Sequence, residues 1–184
     1  MLSLRELMSE AKVLDAAVYA AIAAAETPRL DRGMRSLSRA ADHGRLWVAT
    51  AGLLALAGGD RGRAAAGQGL VSLGIASAVA NLVGKPLTTR RRPEREELEE
   101  LAARQVPMPR TSSFPSGHAA SAFGFATGAG AAWPAASAPL RALATLVGYS
   151  RVHTGVHYPA DVLAGAFLGV SAAELAAWLL DRAT

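Results

Sequence analysis

Three long apolar stretches with almost no charged side chains constrain the fold of this chain more than any other feature. Residues 64–84 and 119–140 contain no ionisable residue, and residues 162–180 contain only Glu174. A bilayer core about 30 Å thick is crossed by about 20 helical residues, so each stretch is long enough to span it. The mean hydropathy of +0.22 leaves a buried soluble bundle as the alternative interpretation. Because small residues such as Ala and Gly also dominate transmembrane helix interfaces, the membrane is the preferred interpretation.

Two shorter apolar stretches complete the predicted bundle. Residues 46–59 are too few to cross alone, but extension backwards through Arg45 to residue 36 makes a spanning helix with its polar residues at the headgroup level. Residues 139–149 reach about half of the bilayer core at about 1.5 Å per residue, and there Arg141 snorkels or the helix continues further. The sequence therefore predicts an all-α, polytopic transmembrane helical bundle of about five or six membrane helices.

The N-terminal segment differs because its hydrophobic residues repeat at helical spacing. Residues 1–14 lack the basic start and the apolar core of a signal peptide. An apolar stripe opposite Glu6, Glu10 and Lys12 indicates an amphipathic helix that lies on the membrane or on the bundle. The stripe consists of Leu4, Leu7, Ala11, Leu14, Val18 and Ile22.

The polar loop between residues 85 and 115 contains a charge-dense segment. Residues 94–104 predict a solvated or interfacial helix. Pro107, Pro109 and Pro115 follow it and forbid one continuous helix through the loop. The chain has no internal repeat, and 184 residues suit one domain of ordinary size. We therefore expect residues 1–184 to form a single membrane-embedded domain.

The composition excludes several kinds of chemistry. The chain has no Cys, which rules out disulfides, thiolate metal ligation and cysteine nucleophiles. Its net charge of +4 and its pI near 10.1 suit either nucleic acid or an anionic membrane surface. Because the charges flank long apolar stretches, we expect the lipid bilayer as a partner and no nucleic acid.

Polar residues with catalytic chemistry lie where the apolar stretches begin or end. Lys85 and Arg92 follow the first stretch, residues 115–118 precede the second, and residues 150–161 come before the third. If the chain crosses at each stretch and returns through residues 139–149, all three clusters reach the same face. Up to 76 residues separate the members of these clusters, and random scatter would rarely bring them to one side.

The cationic members of the clusters suit phosphate oxygens. Lys85, Arg92 and Arg151 supply three positive charges, and a guanidinium binds phosphate through its forked donors. Ser116 is predicted to cap a helix whose free N–H groups add an anion site, and Gly117 allows a ligand to approach the backbone closely. An arginine beside a membrane helix is by itself more often a headgroup anchor, but the joint placement favours a phosphate pocket.

Two imidazoles are expected in the same pocket. His157 lies four residues before Asp161, a spacing that can bring the carboxylate to one ring nitrogen and leave the other free to attack. An isolated pair of this spacing is usually an ordinary helix contact, but His118 joins this one. His43 and His153 lack such neighbours and are predicted to be structural. Positive charge with two imidazoles and no acidic excess predicts a phosphate pocket without a metal.

Three motifs carry a resemblance to a known family. Lys85 to Pro93 matches K-x6-R-P, residues 115–118 match P-S-G-H, and residues 150–161 match S-R-x5-H-x3-D. The motifs stand in order and with correct internal spacing over a core of residues 85–161. The sequence therefore resembles the type 2 phosphatidic acid phosphatase superfamily, which also includes glucose 6-phosphatases and vanadium haloperoxidases.

The resemblance implies hydrolysis of a phosphate monoester or pyrophosphate through a phosphohistidine, with no metal and no cofactor. By this resemblance His157 would be the nucleophile, Asp161 its orienting partner, and His118 the acid that protonates the leaving oxygen. The residues implied to hold the phosphoryl oxygens are Lys85, Arg92, Ser116, Gly117 and Arg151.

The resulting prediction is an integral membrane lipid phosphatase, multi-pass in the plasma membrane, with a homo-oligomer left open. The candidate substrates are phosphatidic acid, phosphatidylglycerol phosphate, a polyprenyl pyrophosphate and a polyprenyl-linked sugar phosphate. Residues 41–47 resemble short actinobacterial members of the family, among them decaprenylphosphoryl phosphoribose phosphatases. The alternatives are a vanadium-dependent haloperoxidase and a noncatalytic lipid-phosphate binder or transporter. An excess of arginine on the side of the pocket predicts that the active site faces the cytoplasm.

Overall fold

A computed structural model of the chain describes residues 3–95 and 104–182, and every regular element among these residues is a helix. The elements are α1 (Leu4–Ala24), α2 (Pro28–Ala40), a 3-10 turn (Asp42–Gly44), α3 (Arg45–Ala57), α4 (Gly59–Ala78), a π-helical extension of α4 (Val79–Gly84), α5 (Gly117–Ala132), α6 (Pro134–His153) and α7 (Pro159–Asp181). The all-α prediction is confirmed for the described residues.

Helix α5 forms the centre of the bundle. It packs against α4, α6 and α7, and α4 also contacts α3 and α7. Because α5 has neighbours on several sides, its buried residues are small with one exception: Ala119, Ala120, Ala122, Gly124, Phe125, Ala126, Gly128, Ala129 and Gly130. Close approach of α5 to α4 depends on this composition, since a Cβ on Gly128 would lie 2.3 Å from the Ser72 hydroxyl.

The two ends of the bundle have different roles. At one end, a Cβ on Gly58 would lie 2.5 Å from the ring of Trp133, so the α3–α4 and α5–α6 turns meet there. The C-terminal ends of α4 and α6 and the N-terminal ends of α5 and α7 therefore lie at the opposite end. All three motifs are found at this second end, which positions the site.

Large apolar side chains cover the outside of the bundle. Leu56, Leu82, Leu163 and Phe167 are 87%, 75%, 70% and 76% exposed. Within the described part of the chain, two helices are long and apolar enough to cross a membrane, Gly59–Gly84 and Pro159–Trp178. The predicted number of five or six membrane helices stays a prediction.

The structure corrects two predicted helices. The spanning helix expected from residue 36 to residue 59 is wrong, because α2 ends at Ala40 and α3 begins at Arg45. His43 and Gly44 between them have φ angles of 56° and 73°, which a continuous α-helix does not allow. The returning segment expected over residues 139–149 is longer than predicted, since α6 has 20 residues and begins at Pro134.

The N-terminal helix is present and its apolar stripe faces outward. Leu4, Leu7, Leu14 and Val18 are between 41% and 74% exposed, so the stripe is not covered by the bundle. Ser3 caps α1 in a reciprocal capping box with Glu6. Most of the helix predicted for residues 94–104 lies outside the described residues, because 96–103 are not described.

Candidate active site

The second end of the bundle contains an open pocket of about 590 Å³ in which most of the predicted site residues meet. Six of the eight line it: Lys85, Arg92, Gly117, His118, Arg151 and His157. Ser116 and Asp161 are fully buried and lie behind this wall. The segments from α4, α5, α6 and α7 thus converge as the crossing pattern requires.

His157 presents one ring nitrogen to the cationic wall and the other to Asp161. Its Nε2 lies 3.4 Å from a terminal nitrogen of Arg92, and its Nδ1 lies 3.6 Å from an Asp161 carboxylate oxygen. Burial lowers the pKa of His157 to about 4, and Asp161 opposes this effect. The imidazole is therefore neutral over the ordinary pH range, as a nucleophile must be.

Asp161 is held by more partners than the motif predicts. It accepts hydrogen bonds from the Ser113 hydroxyl, from the backbone N–H of Tyr158 at 2.9 Å and from Arg90 at 2.9 Å. Arg90 also donates to Asp15 on α1. Sequence reasoning missed Asp15, Arg90 and Ser113, because nothing local connects residues that lie 48 to 75 positions from their partners.

Lys85 is positioned by the π-helical extension of α4. Its Nζ donates to Asn81 at 2.6 Å, and the Asn81 amide donates to the Ser77 carbonyl at 2.8 Å. Burial lowers the pKa of Lys85 below its usual value, and the nearby charges of Arg92 and Arg151 add to this. The spacing of four residues between Asn81 and Lys85 was the sequence signal that could have identified this partner.

Gly117 packs closely against Asn81, a contact that the sequence did not reveal. A Cβ at this position would lie 3.1 Å from the side-chain oxygen of Asn81, the atom that binds Lys85. Ser116 caps α5 as predicted, since its hydroxyl accepts from the backbone N–H of Ala119 at 3.4 Å. The Ser116 N–H donates to the Asp161 carbonyl at 2.9 Å, which ties the start of α5 to the start of α7.

The two guanidiniums are held differently. Arg92 donates to the carbonyls of Thr111 at 3.0 Å, Ser112 at 3.2 Å and Val156 at 2.7 Å, which fixes its plane against the loop. Arg151 is 2% exposed and donates to the Ser38 hydroxyl on α2. Its Nε has no hydrogen-bond partner within the described residues. A buried guanidinium with an unused donor suits an oxyanion.

His118 has a carboxylate partner that the sequence did not predict. Its Nε2 lies 2.9 Å from Asp42, and Asp42 lies 3.8 Å from Arg151. The hydrogen bond from His118 is the main cause that lowers the pKa of Asp42 below its usual value.

His153 is buried and its Nε2 lies 2.8 Å from Asp31, in line with its predicted structural role. His43, for which no site role was predicted, lines the pocket.

The rest of the wall is divided between apolar and polar side chains. Apolar surface comes from Leu73 on α4 and from the loop at residues 106–109. Hydroxyl groups come from Ser77 and Ser121. The pocket can therefore accept an oxyanion together with a larger group that has both apolar and hydrogen-bonding parts.

Two imidazoles and three cationic side chains line one pocket at the end of a helical bundle, an arrangement that agrees with the class of phosphoric monoester hydrolases. The sequence profile described as PAP2 superfamily matches residues 65–184. The chain belongs to this superfamily, and together with the phosphatase relative described below this identifies it as a phosphoric monoester hydrolase.

Known relatives agree with this assignment. The chain is 36% identical over 166 residues to decaprenylphosphoryl-5-phosphoribose phosphatase of Mycolicibacterium smegmatis, an alignment that covers 86% of this chain and 84% of the relative. Its fold is similar to the transmembrane PAP2 type phosphatidylglycerolphosphate phosphatase from Bacillus subtilis, with a TM-score of 0.70, 22% identity, and coverage of 95% of this chain and 88% of that one. It is also similar to LpxE of Aquifex aeolicus, with a TM-score of 0.69, 24% identity, and coverage of 89% and 94%.

Proposed function

We propose that this chain, working as one domain over residues 1–184, hydrolyses the phosphate monoester of a polyprenyl-linked sugar phosphate through a phosphohistidine. The observation that carries the proposal is the placement of the His157 Nε2 at 3.4 Å from Arg92 in a pocket that His118 also lines. A nucleophile, a proton donor and fixed positive charge are the three parts that metal-free phosphoryl transfer needs.

In the first step His157 attacks phosphorus through Nε2. Its Nδ1 faces Asp161, which stabilises the positive charge that the ring gains when the N–P bond forms. Lys85, Arg92 and Arg151 bind the phosphoryl oxygens, where negative charge is concentrated in the transition state. As the P–O bond to the sugar hydroxyl of the lipid-linked substrate breaks, His118 gives its proton to the leaving oxygen.

In the second step water hydrolyses the phosphohistidine. His118, now neutral, takes a proton from the attacking water, and the N–P bond to His157 breaks. Inorganic phosphate leaves, His157 returns to the neutral form and His118 regains its proton. The three cations keep the same partners through both steps, so little reorganisation is needed.

The substrate class is supported by the pocket wall and by a relative. A bare phospholipid headgroup needs few hydrogen bonds beyond the phosphate, whereas Ser77, Ser121 and His43 line this pocket outside the cationic group. Sugar hydroxyls are partners for such groups. The M. smegmatis relative is a decaprenylphosphoryl-5-phosphoribose phosphatase, which favours the same class of substrate.

Phosphate release from purified, detergent-solubilised protein tests the proposal. The panel contains a polyprenyl-linked phosphoribose phosphate, phosphatidic acid, phosphatidylglycerol phosphate and a polyprenyl pyrophosphate. We expect the sugar phosphate to have the highest kcat/KM and His157→Ala to release none from any of them. Arg141→Gln, in the apolar part of α6, is the matched control with full activity. Preference for another lipid would refute the substrate, and activity of His157→Ala would refute the mechanism.

We also propose that the protein lies in the plasma membrane with the pocket facing the cytoplasm. When the three pocket cations are left out of the count, more arginines lie on the pocket side of the membrane than on the other side. The other side has Arg61, Arg63 and Arg182. The pocket side has Arg29, Arg32, Arg35, Arg39, Arg45, Arg90 and Arg91.

Single cysteines test the orientation, because the chain has none of its own. Thr111→Cys places a thiol on the exposed loop beside the pocket, and Asp60→Cys places one in the exposed turn at the other end. In intact cells an impermeant maleimide should label Asp60→Cys and should label Thr111→Cys only after permeabilisation. The reverse pattern would refute the cytoplasmic site.

A further inference from the structure

The turn between α2 and α3 brings a carboxylate to the second imidazole of the pocket. Asp42 lies 76 residues from His118 in sequence, yet its Oδ1 lies 2.9 Å from the His118 Nε2. Asp42 is half-buried and lines the pocket with Lys85 and Arg151. A carboxylate at this place carries the same charge as the substrate phosphate, so its presence needs a chemical reason.

The backbone around Asp42 departs from helical geometry to place it there. His43 is the one non-glycine residue with positive φ in the described part of the chain, and Gly44 follows with φ of 73°. A non-glycine residue is strained in this region and persists where surrounding contacts require it. The turn separates α2 from α3 and brings Asp42 to His118.

The charges around Asp42 keep it ionised. His118 donates to one carboxylate oxygen and Arg151 lies 3.8 Å away, and both stabilise the anion. The pKa of Asp42 is accordingly lowered from its usual value despite partial burial. Asp42 thus acts as a fixed acceptor for His118, and the nearby guanidinium of Arg151 offsets the negative charge that it adds to the pocket.

The contact also determines which nitrogen of His118 is used. Since Nε2–H donates to Asp42, the proton that reaches the leaving oxygen must come from Nδ1, as in other carboxylate–histidine pairs where the carboxylate selects the tautomer. His157 shows the mirror arrangement, with Nδ1 towards Asp161 and Nε2 towards the pocket. The two imidazoles therefore face the phosphate through different ring nitrogens, each with its own carboxylate.

We propose that Asp42 is a positioning residue for the proton donor: it holds His118 by Nε2 and stabilises its imidazolium, so that Nδ1–H protonates the leaving alkoxide. The proposal rests on the proposed function. As the P–O bond breaks, the proton moves from Nδ1 to oxygen and His118 becomes neutral while Nε2–H stays bonded to Asp42. The attacking water later returns a proton to Nδ1. Asp42 is an ionised carboxylate throughout and never receives the proton.

The test compares leaving groups in Asp42→Asn. General acid catalysis contributes about 10²- to 10⁴-fold when the leaving oxygen is a poor leaving group. The variant should therefore form phosphoenzyme from the alkyl phosphate of a lipid at least about tenfold more slowly. With p-nitrophenyl phosphate, whose leaving group needs no proton, the rapid first turnover should stay within about threefold of the wild-type rate. The phosphoenzyme should then accumulate, because His118 also assists the attack of water.

Two further variants make the outcome decisive. Asp42→Glu keeps the charge and should retain part of the wild-type rate with the lipid phosphate. This variant also tests the proposal if Asp42→Asn yields too little folded protein. Asp60→Asn removes an exposed carboxylate at the other end of the bundle and should behave as wild type. An equal loss with both leaving groups would refute the positioning role and indicate a merely structural contact, as would an unchanged lipid rate. A wild-type protein inactive on every phosphate ester would refute the proposed function itself, and this inference with it.

Discussion

A methyl group added at Gly165 tests how closely the packing of α7 against α5 controls the site. Gly165 is buried on α7, and a Cβ there would lie 2.3 Å from the carbonyl oxygen of Ser116 and 3.1 Å from the Ala119 side chain. Ordinary contact needs about 3.5 Å, so Gly165→Ala must move one of the helices by about 1 Å. Ser116 directly precedes Gly117 and His118, which line the pocket. A shift at Ser116 therefore reaches the catalytic residues.

The expected effects follow from this displacement. Overpacking a tight interface destabilises by about 1 to 3 kcal/mol, less about 0.5 to 1 kcal/mol gained from the better helix propensity of Ala. A misplacement of about 1 Å at a catalytic group lowers the rate by about 100-fold. Gly165→Ala should therefore lose about 100-fold in kcat/KM, while its free energy of unfolding falls by no more than about 2.5 kcal/mol.

Two other glycines provide the controls. At Gly169 a Cβ would also meet a backbone carbonyl at 2.3 Å, that of Ala120, one helical turn further from the pocket. Gly169→Ala should destabilise to a similar extent and lose much less activity. Gly74 on α4 is exposed with nothing within 4 Å of a Cβ, so Gly74→Ala should leave activity unchanged and stabilise the protein by about 0.5 to 1 kcal/mol.

The assays are thermal unfolding in detergent and phosphate release at a temperature where all variants are folded. A folded Gly165→Ala protein with wild-type kcat/KM would refute the reasoning. So would a Gly169→Ala protein with an equal loss of activity, because packing in general would then be responsible.

Three further predictions follow. Trp47→Ala removes a side chain that is 1% exposed and should lower the free energy of unfolding by about 3 to 5 kcal/mol, whereas the exposed Val48→Ala should lower it little; equal shifts in unfolding temperature would contradict this. Because the pKa of His157 is about 4, kcat/KM should fall on the acid side with a midpoint near that value as the ring becomes protonated and unable to attack; a midpoint near the usual histidine value would contradict it. Arg90→Gln should lower kcat by about ten- to a hundred-fold with little change in KM, since Arg90 does not line the pocket; the exposed Arg91→Gln is the control, and a change confined to KM would contradict the positioning role.

The apolar stretches predict the long helices well because the bilayer requirement is a property of composition over many residues. Two of the three long apolar stretches, residues 64–84 and 162–180, lie within single helical segments of the structure. The third is divided at Trp133, where Pro134 begins a new helix. The break at Asp42–Gly44 was not predictable in the same way. Its cause is a pair of positive φ angles that hydropathy does not reveal.

The pocket residues are predictable for a different reason. Each motif is local, and the crossing pattern carries the motifs to one end, so Lys85, His118 and His157 could be placed together without coordinates. The residues that hold them are not local. Arg90 lies 71 positions from Asp161, and Asp42 lies 76 from His118. In a sequence such residues resemble ordinary solvated charges, because their partners are selected by topology alone.

The attachment of α1 shows why such long-range polar contacts matter here. Among the described residues of this helix, Asp15 is the one that is buried, while its apolar stripe stays outside. A buried carboxylate is unfavourable unless it is paired and hydrogen-bonded, and Asp15 receives both: an ion pair with Arg90 and the backbone N–H of Ala160 at 2.8 Å. These contacts fix α1 to the first turn of α7 rather than along an apolar interface. Since the same Arg90 binds Asp161, the place where the surface helix is anchored is also the place where the carboxylate behind the nucleophile is held.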